Sequence, residues 1–460
     1  MIRKLFFLAT FISVAIIANA QTWTQQNTNF TGTSIGVDEI SIVDASIVWV
    51  KGFNGSGTGA KIRAYSKTLN GGTTWSTGTI GLTGTIMPNT FAASSYTRAF
   101  VACLDTVSSV ASFWSTANGG TSWAPVAGIL NNTGSFADGV KFWNTTKGFC
   151  YGDPINSLYE IYTTSDGGAT WTPAVTSVAP VPAAEYGYNG GECASIVPGT
   201  GVGVFMTDHG RIIRTTDYGV HWAVTPTAPF TSSVYNGNKV YASSANYIIC
   251  ATYITATTTW TWKYTSDGGT TWNTYAPSGS FYDYAMCYVP GTPNKFVATS
   301  PDAATIEGVG YSTDGGLSWT DFTDALLQPS GVNIQCLAVG FASVTTGWVG
   351  NYDQSQLINS ILKYYDPLAG VNMMQTVNGN DVNIYPNPSH GMVNVSVNGP
   401  NAQDITMTVF DLIGNSISSQ ILNVNGLTNA SINLTSYPKG VYLVQLSSNT
   451  ETITKKLIIQ

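Results

Sequence analysis

Six copies of one octet constrain this chain more than any other feature. They run Thr68 to Trp75, Thr116 to Trp123, Thr164 to Trp171, Thr215 to Trp222, Thr265 to Trp272 and Ser312 to Trp319, and each closes on tryptophan. The tryptophans are spaced 48, 48, 51, 50 and 47 residues apart. A fixed period of roughly 40 to 50 residues carried by short strand-like segments is the mark of a β-propeller or array, with one blade per repeat. Within each octet, Gly-Gly supplies the positive φ values of a tight hairpin. The Asn or Asp at the third position accepts bonds from the backbone of that turn, and the Thr or Ser residues tie its ends.

The octets resemble the Asp-box, or sialidase-type repeat. Asn70 and Asn118 stand where that repeat prefers Asp, and the copy at Thr215 departs further, with Tyr218 in place of the first Gly and His221 in place of Thr or Ser. Turn-forming carboxylates such as Asp166, Asp217, Asp267 and Asp314 read as hairpin closers rather than substrate ligands.

The ends of the repeat array fix the number of blades. Trp23-Thr24-Gln25-Gln26 looks like the strand that follows a box, yet no box precedes it; after the last box, strand-like runs near 333–340, 346–351 and 358–365 lack a partner. Combining them in one composite blade gives seven blades and closes the ring, which removes exposed sheet edges. The inner strand pairs are expected near 40–53, 91–104, 136–153, 190–206, 236–252, 283–300 and 333–351. The expected fold class is therefore all-β: a seven-bladed β-propeller followed by a small antiparallel β-sandwich.

Residues 1–20 place Arg3 and Lys4 before an apolar run from Leu5 to Ile17 and end Ala18-Asn19-Ala20, the layout of a secretory signal peptide. Gln21 follows rather than Cys, which argues against a lipid anchor, and no later stretch approaches the roughly 18 apolar residues of a membrane span. Without Arg3 and Lys4 the chain keeps 16 basic against 25 acidic residues, a net charge of -9, which makes nucleic acid an improbable partner. The six cysteines fall about one per blade inside apolar segments, with no metal-like spacing; they read as small buried hydrophobes.

The expected domains are 1–20 signal peptide, 21–366 propeller, 367–381 linker and 382–460 a small β-domain. In the last, Tyr385-Pro386-Asn387-Pro388, Gly391, Val409 to Gly414, Tyr437-Pro438-Lys439-Gly440-Val441-Tyr442 and Lys455 to Ile459 resemble the C-terminal sorting domain of the type IX secretion system of the Bacteroidetes. The resemblance implies passage through the periplasm and across the outer membrane, with the secretion machinery as partner, then release or attachment at the cell surface.

Function is sought on the face opposite the boxes, where loops sit on a rigid scaffold. Its densest part combines Asp138, Lys141, Trp143, Asp153, Glu185, Tyr186, Asp208, His209 and Arg211. Asn54, Asp105, Glu192, Asp302 and Asp353 extend an acidic rim. Carboxylates beside aromatics suit sugar recognition, giving Trp143, Asp153, Glu185, Tyr186, His209 and Arg211 as ligand-binding candidates. Two of Asp138, Asp153, Glu185 and Asp208 at suitable separation are the alternative: the acid and base of a glycoside hydrolase. Stretches from Phe136 to Pro154 and from Gly210 to Arg214 resemble sialidase-like and photosystem assembly-factor-like propellers. A sialidase grips its substrate carboxylate with three arginines, and after residue 20 this chain has only Arg63, Arg98, Arg211 and Arg214. His209, His221 and His390 form no metal triad in sequence, and no phosphate loop or dinucleotide motif is present. The reading is a monomeric exported binding module for a glycan or protein, without metal or cofactor.

Overall fold

The computed structural model describes residues 23–32, 34–56, 61–131, 134–188, 190–230, 237–254, 259–302, 306–323, 334–353, 360–364, 376–377, 380–412, 414–448 and 452–460. The expected signal peptide, 1–20, and most of the expected linker, 367–381, lie outside them. The chain divides into two compact units, 1–365 and 366–460. Among the described residues there is no α-helix, only a single 3₁₀ turn at Gly191–Cys193.

Among the described residues the first unit contains seven sheets, antiparallel but for one pairing in the sixth. Sheet one runs Ile35–Ile42, Val48–Asn54, Ala64–Thr68 and Ser76–Thr79. Sheets two to five repeat this order from Ile86–Ala93, Ala137–Phe142, Ala194–Ile196 and Gly237–Ala242. Sheet six begins at Ala285–Tyr288 and gains a fifth strand, Ser278–Gly279, parallel to Ser318–Asp321. Sheet seven comprises Ile334–Ser343, Thr346–Asp353 and Ser360–Tyr364, and its outer strand is Trp23–Asn27, paired in register from Trp23 opposite Tyr364 to Asn27 opposite Ser360. The first strands of successive sheets pack on one another, and that of sheet seven packs on that of sheet one.

Each octet links the third strand of its sheet to the fourth, and one hydroxyl organises it. Thr164 Oγ1 donates to Asp166 Oδ1 (2.8 Å) and accepts from the Gly168 amide (2.8 Å). Asp166 then receives the Thr170 amide (2.9 Å) and hydroxyl (2.6 Å), and these bonds pull its carboxyl down to about 2. In the divergent copy, His221 replaces the hydroxyl, placing Nδ1 2.6 Å from Asp217 Oδ2. Tyr218 takes the glycine's place at φ 62°, a left-handed conformation costing roughly 1–3 kcal/mol for a bulky residue. Its ring compensates by meeting Trp143 edge-on at 5.6 Å, under the Lys147 ammonium at 4.5 Å.

The octets also latch sheet to sheet. Lys67 Nζ of sheet one donates to the Gly119 carbonyl of the next octet (2.8 Å), and Arg214 of sheet four donates to Gly268 (3.1 Å). Lys363 of sheet seven reaches Gly71, in the octet of sheet one (2.8 Å). Gln26, on the N-terminal strand, accepts the indole N–H groups of both Trp75 and Trp348 (3.3 Å each).

Sequence alternation divides residues 382–460 into seven short strands, 382–385, 391–397, 405–410, 416–424, 430–434, 440–447 and 452–459, and the second unit differs from this in detail. Met392–Phe410 and Ser416–Asn433 are two long strands whose pairing shifts register between Gly399 and Gln403. The first half of Met392–Phe410 pairs with Asn380–Tyr385 and the second with Gly440–Ser447. Val393, Val395 and Val397 from one half and Ile405, Met407 and Val409 from the other thus enter one core. Residues 376–377 and 380–381, read as linker, pair as a hairpin on this sheet. The Asn378-Gly379 dipeptide between them is a two-residue hairpin signal that the linker reading passed over.

Trp23 is fully buried; its indole donates to the Phe322 carbonyl (3.1 Å) and its ring meets Phe322 and Tyr364 edge-on. We expect Trp23→Ala to lower unfolding free energy by roughly 3–5 kcal/mol, measured by urea denaturation. A loss below about 1 kcal/mol, the range of an inconsequential surface change, would contradict the role assigned to this strand.

Candidate functional site

The candidate cluster forms where sheet three hands over to sheet four. The link between them, Ala174 to Cys193, is interrupted by Pro180, Pro182, Gly187, Gly190 and Gly191, which keep it from pairing as a strand throughout, and side chains from both flanking sheets hold its backbone. Gly187 pairs with Thr207 as an isolated bridge, and the Asp208 amide donates to the Tyr186 carbonyl (3.1 Å).

Four carboxylates converge on this link. Glu185 is 2% exposed and ion-paired with Arg211, whose Nε donates to both carboxylate oxygens (2.8 and 3.0 Å) and whose Nη2 donates to Oε2. The Thr207 hydroxyl and the Val181 amide donate to the same carboxylate (2.5 and 2.7 Å). Asp208 is fully buried; its Oδ1 accepts the Tyr186 amide (3.0 Å) and lies 2.7 Å from His209 Nδ1. Asp153, at the bulge that follows Gly152, accepts the Gly187 amide (2.9 Å). Asp138 sits in the bulge of the first strand of sheet three, 1% exposed. A Cβ on Gly187 would lie 2.1 Å from Asp138 Oδ2, so only glycine fits this crossing.

The cluster is electrostatically crowded. Asp138 Oδ2 and Asp208 Oδ2 are buried with no hydrogen-bond partner among the described residues. Burial first, then repulsion from Asp153 and Asp208, drives the Asp138 carboxyl far above the carboxylate range. Asp153 is pushed up to about 6, chiefly by burial and then by Asp208 and Glu160, against the opposing bond from Gly187. Oxygen and nitrogen atoms of Glu185, Asp208 and His209 all lie within 4.8 Å of one another. Arg211 already occupies both Glu185 oxygens, so that group is neutralised by a guanidinium rather than open to a cation.

The structure gathers Asp138, Asp153, Glu185, Tyr186, Asp208, His209 and Arg211, but Trp143 lies elsewhere. It stands at the opposite end of its strand, 3% exposed, donating its indole N–H to the Val202 carbonyl (2.6 Å) and packing on Phe149. Asp105 caps its own turn, accepting from the Thr85 hydroxyl and the Val107 amide (2.7 and 2.9 Å). The side chains of Asp302 and Asp353 are outside the described residues. Of the gathered group, Tyr186 is the exposed member, at 42%.

A second feature entered the sequence reading only through Lys141 and Glu192: charged residues in and beside the strands lining the middle of the unit. A cavity of about 210 Å³ touches the first strand of every one of the seven sheets. A second, of about 520 Å³, opens beside it; Asp38, Glu39, Gly191 and Glu192 line both. Between them sits the 3₁₀ turn. Lys141 Nζ donates to the Gly191 carbonyl (2.9 Å), the Met286 amide to Glu192 (3.4 Å), and the Cys193 thiol to the Asn238 carbonyl (3.2 Å). Lys51 pairs with Asp38 (2.8 Å) and reaches Glu39 (4.0 Å); burial nevertheless pushes Glu39 up to about 7. Lysine or glutamate inside otherwise apolar strands, as at Lys51, Lys239 and Glu39, was the signal that would have found this site.

The raised Asp153 carboxyl gives a signed prediction. A carboxyl whose folded pKa exceeds its unfolded value destabilises the fold when ionised, a cost fully present above about 6 that disappears as pH falls toward 4. Asp153→Asn keeps an acceptor for the Gly187 amide, so it is expected to stabilise the protein at pH 8 and to do little at pH 4, measured by paired thermal melts. Equal effects at both pH values would count against the buried-carboxylate account.

Residues 383–460 match the family described as "Secretion system C-terminal sorting domain". Among curated proteins none matches the sequence. Among solved structures the chain is similar to YCF48 bound to D1 peptide, at 15% identity and TM-score 0.45 over 76% of this chain and 98% of that one. It is similar in the same degree to YCF48 from Cyanidioschyzon merolae, at 15% identity and TM-score 0.45 over 75% and 99%. A GH74 xyloglucanase from Xanthomonas campestris is similar at 9% identity and TM-score 0.25, over 74% of this chain and 68% of that one. No helix among the described residues is long and apolar enough to cross a membrane. The chain therefore carries a secretion sorting signal at its C-terminal end, joined to an all-β unit of seven sheets.

Proposed function

We propose that residues 21–366 form a closed seven-bladed propeller that works as an extracellular recognition module, delivered to the cell surface or medium by the type IX pathway. Under this reading residues 1–20 are removed on the way through the periplasm, 367–375 join the two units, and the second unit engages the secretion machinery. Three observations support closure: the cavity common to seven first strands, the latch from Lys363 to Gly71, and Gln26 shared by tryptophans of sheets seven and one.

The observation that carries recognition is the direction in which the carboxylates are spent. Glu185, Asp208 and Asp153 all hold side chains or amides of the 179–211 region, leaving Tyr186 facing outward on a fixed backbone, with Val181 60% exposed beside it. A rigid exposed tyrosine presents both an aromatic face and a hydroxyl at low entropic cost, which suits a glycan or a protein ligand. Asp153, Glu185, His209 and Arg211 then serve the platform, and Tyr186 makes the contact.

Hydrolysis of a polysaccharide by paired carboxylates is the second reading, favoured by the raised Asp138 and Asp153 carboxyls. Against it stands burial: Asp138, Glu185 and Asp208 are each no more than 2% exposed, whereas an acid and base need an open cleft between them.

The test is a panel of plant, algal and host polysaccharides and surface proteins, scored with the full chain for binding and for new reducing ends. Binding without release, weakened roughly tenfold by Tyr186→Ala as expected for an aromatic contact residue, is the predicted outcome. Release of reducing ends that disappears in Asp153→Asn would establish the hydrolase instead.

A further inference from the structure

Lys239 is the unusual residue of the larger central cavity. It is 7% exposed on the first strand of sheet five, and its ammonium donates to the Asp283 carbonyl (2.5 Å). It lies 4.3 Å from the Trp260 ring, 5.7 Å from Trp262 and 5.5 Å from Tyr284. No carboxylate comes within 4.0 Å of it among the described residues. Lys51 lines the same cavity in the opposite condition, held by Asp38 at 2.8 Å. The two ammonium groups respond accordingly: desolvation lowers Lys239 despite the more distant Glu192 and Asp283, whereas Asp38 and Glu39 overcome desolvation and raise Lys51. Of the three lysines lining this cavity, Lys61 is exposed, Lys51 is neutralised by Asp38, and Lys239 is the buried one with no carboxylate within 4.0 Å among the described residues.

We propose that the cavity of about 520 Å³ is a binding site for a uronate-bearing oligosaccharide, with the uronate carboxylate taken by Lys239 and the sugar ring set against Tyr284. The proposal rests on the recognition-module reading and deepens it. The volume lies in the range of small-ligand sites, roughly 300–1,000 Å³. Tyr284 is 44% exposed, so its ring offers a stacking surface at the mouth. The lining also carries Asp38, Glu39 and Glu192, which accept hydrogen bonds and repel anions. An unpaired cation among acceptors matches a ligand with one carboxylate per ring and many hydroxyl donors. An acidic peptide brings a similar density of carboxylates without the hydroxyls, so it has nothing to donate to the three acids of the lining.

The experiment is calorimetric titration of the full chain with hexagalacturonate, its fully methyl-esterified form, and hexaglutamate. We expect hexagalacturonate to bind, and esterification, which removes the charge from the ligand side, to weaken it roughly 10- to 100-fold, as for loss of a charge-assisted hydrogen bond. Lys239→Met, which keeps the alkyl stem over Trp260, is expected to lose the same factor, and Lys239→Arg to retain most affinity. Equal affinity for the acid and the ester overturns the proposal without recourse to a variant whose folding could be questioned. So does hexaglutamate binding as tightly as the uronate, or no binding of hexagalacturonate at all. In each of those cases a positive result in the broader panel, lost in Tyr186→Ala, leaves the recognition module standing with its ligand elsewhere.

Discussion

A sheet edge left unpaired is the constraint on which this architecture turns. Seven sheets stand side by side, and the outer edge of the seventh is covered by a strand taken from the start of the chain, Trp23–Asn27, opposite Ser360–Tyr364. An exposed strand edge is a template for aggregation; this pairing covers the edge of Ser360–Tyr364 with a strand of only five residues and gives sheet seven four strands, as in sheet one. The same strand places Gln26 between Trp348 and Trp75, so the pairing also joins sheet seven to sheet one. Lys363 gives sheet seven the same kind of latch onto the octet of sheet one that Lys67 and Arg214 make from sheets one and four onto the octets that follow them.

Much of this was legible in the sequence because its carriers are local. The octet is a self-contained network in which Thr, Asp and two glycines satisfy one another within eight residues, so its period reports the sheet count without knowledge of any distant contact. The divergent copy obeys the same chemistry: His221 does what a hydroxyl does elsewhere, and Tyr218 accepts a left-handed backbone in return for its contact with Trp143. The sandwich-like second unit was less legible. Its strands Met392–Phe410 and Ser416–Asn433 run through a register shift that sequence alternation alone presents as two strands each.

The candidate site shows where sequence reasoning stops. Proximity of Asp138, Asp153, Glu185, Tyr186, Asp208, His209 and Arg211 followed from counting loops on one end of sheets three and four. Their direction did not. Whether a carboxylate faces solvent or a neighbouring amide depends on the path of the link between sheets, which Gly187 allows to pass against Asp138. Trp143 was misplaced for a related reason: five residues along a strand from Asp138, it falls at the other end of the sheet, among Phe149 and Tyr218. The central cavity escaped because Glu39 and Lys51 of sheet one lie far in sequence from Lys239 of sheet five, and only the assembly brings them to one cavity.

Hydrogen exchange of the paired terminal strands tests the account most directly. If the ring is closed as proposed, those amides of residues 23–27 and 360–364 that bond across their pairing exchange in the slowest class, together with the buried strands Val48–Asn54 and Ile248–Ile254, because opening that pairing requires opening the whole unit. Rapid exchange of residues 23–27 while those interior strands remain protected would mean that the N-terminal strand frays independently, and the closed ring would have to be abandoned.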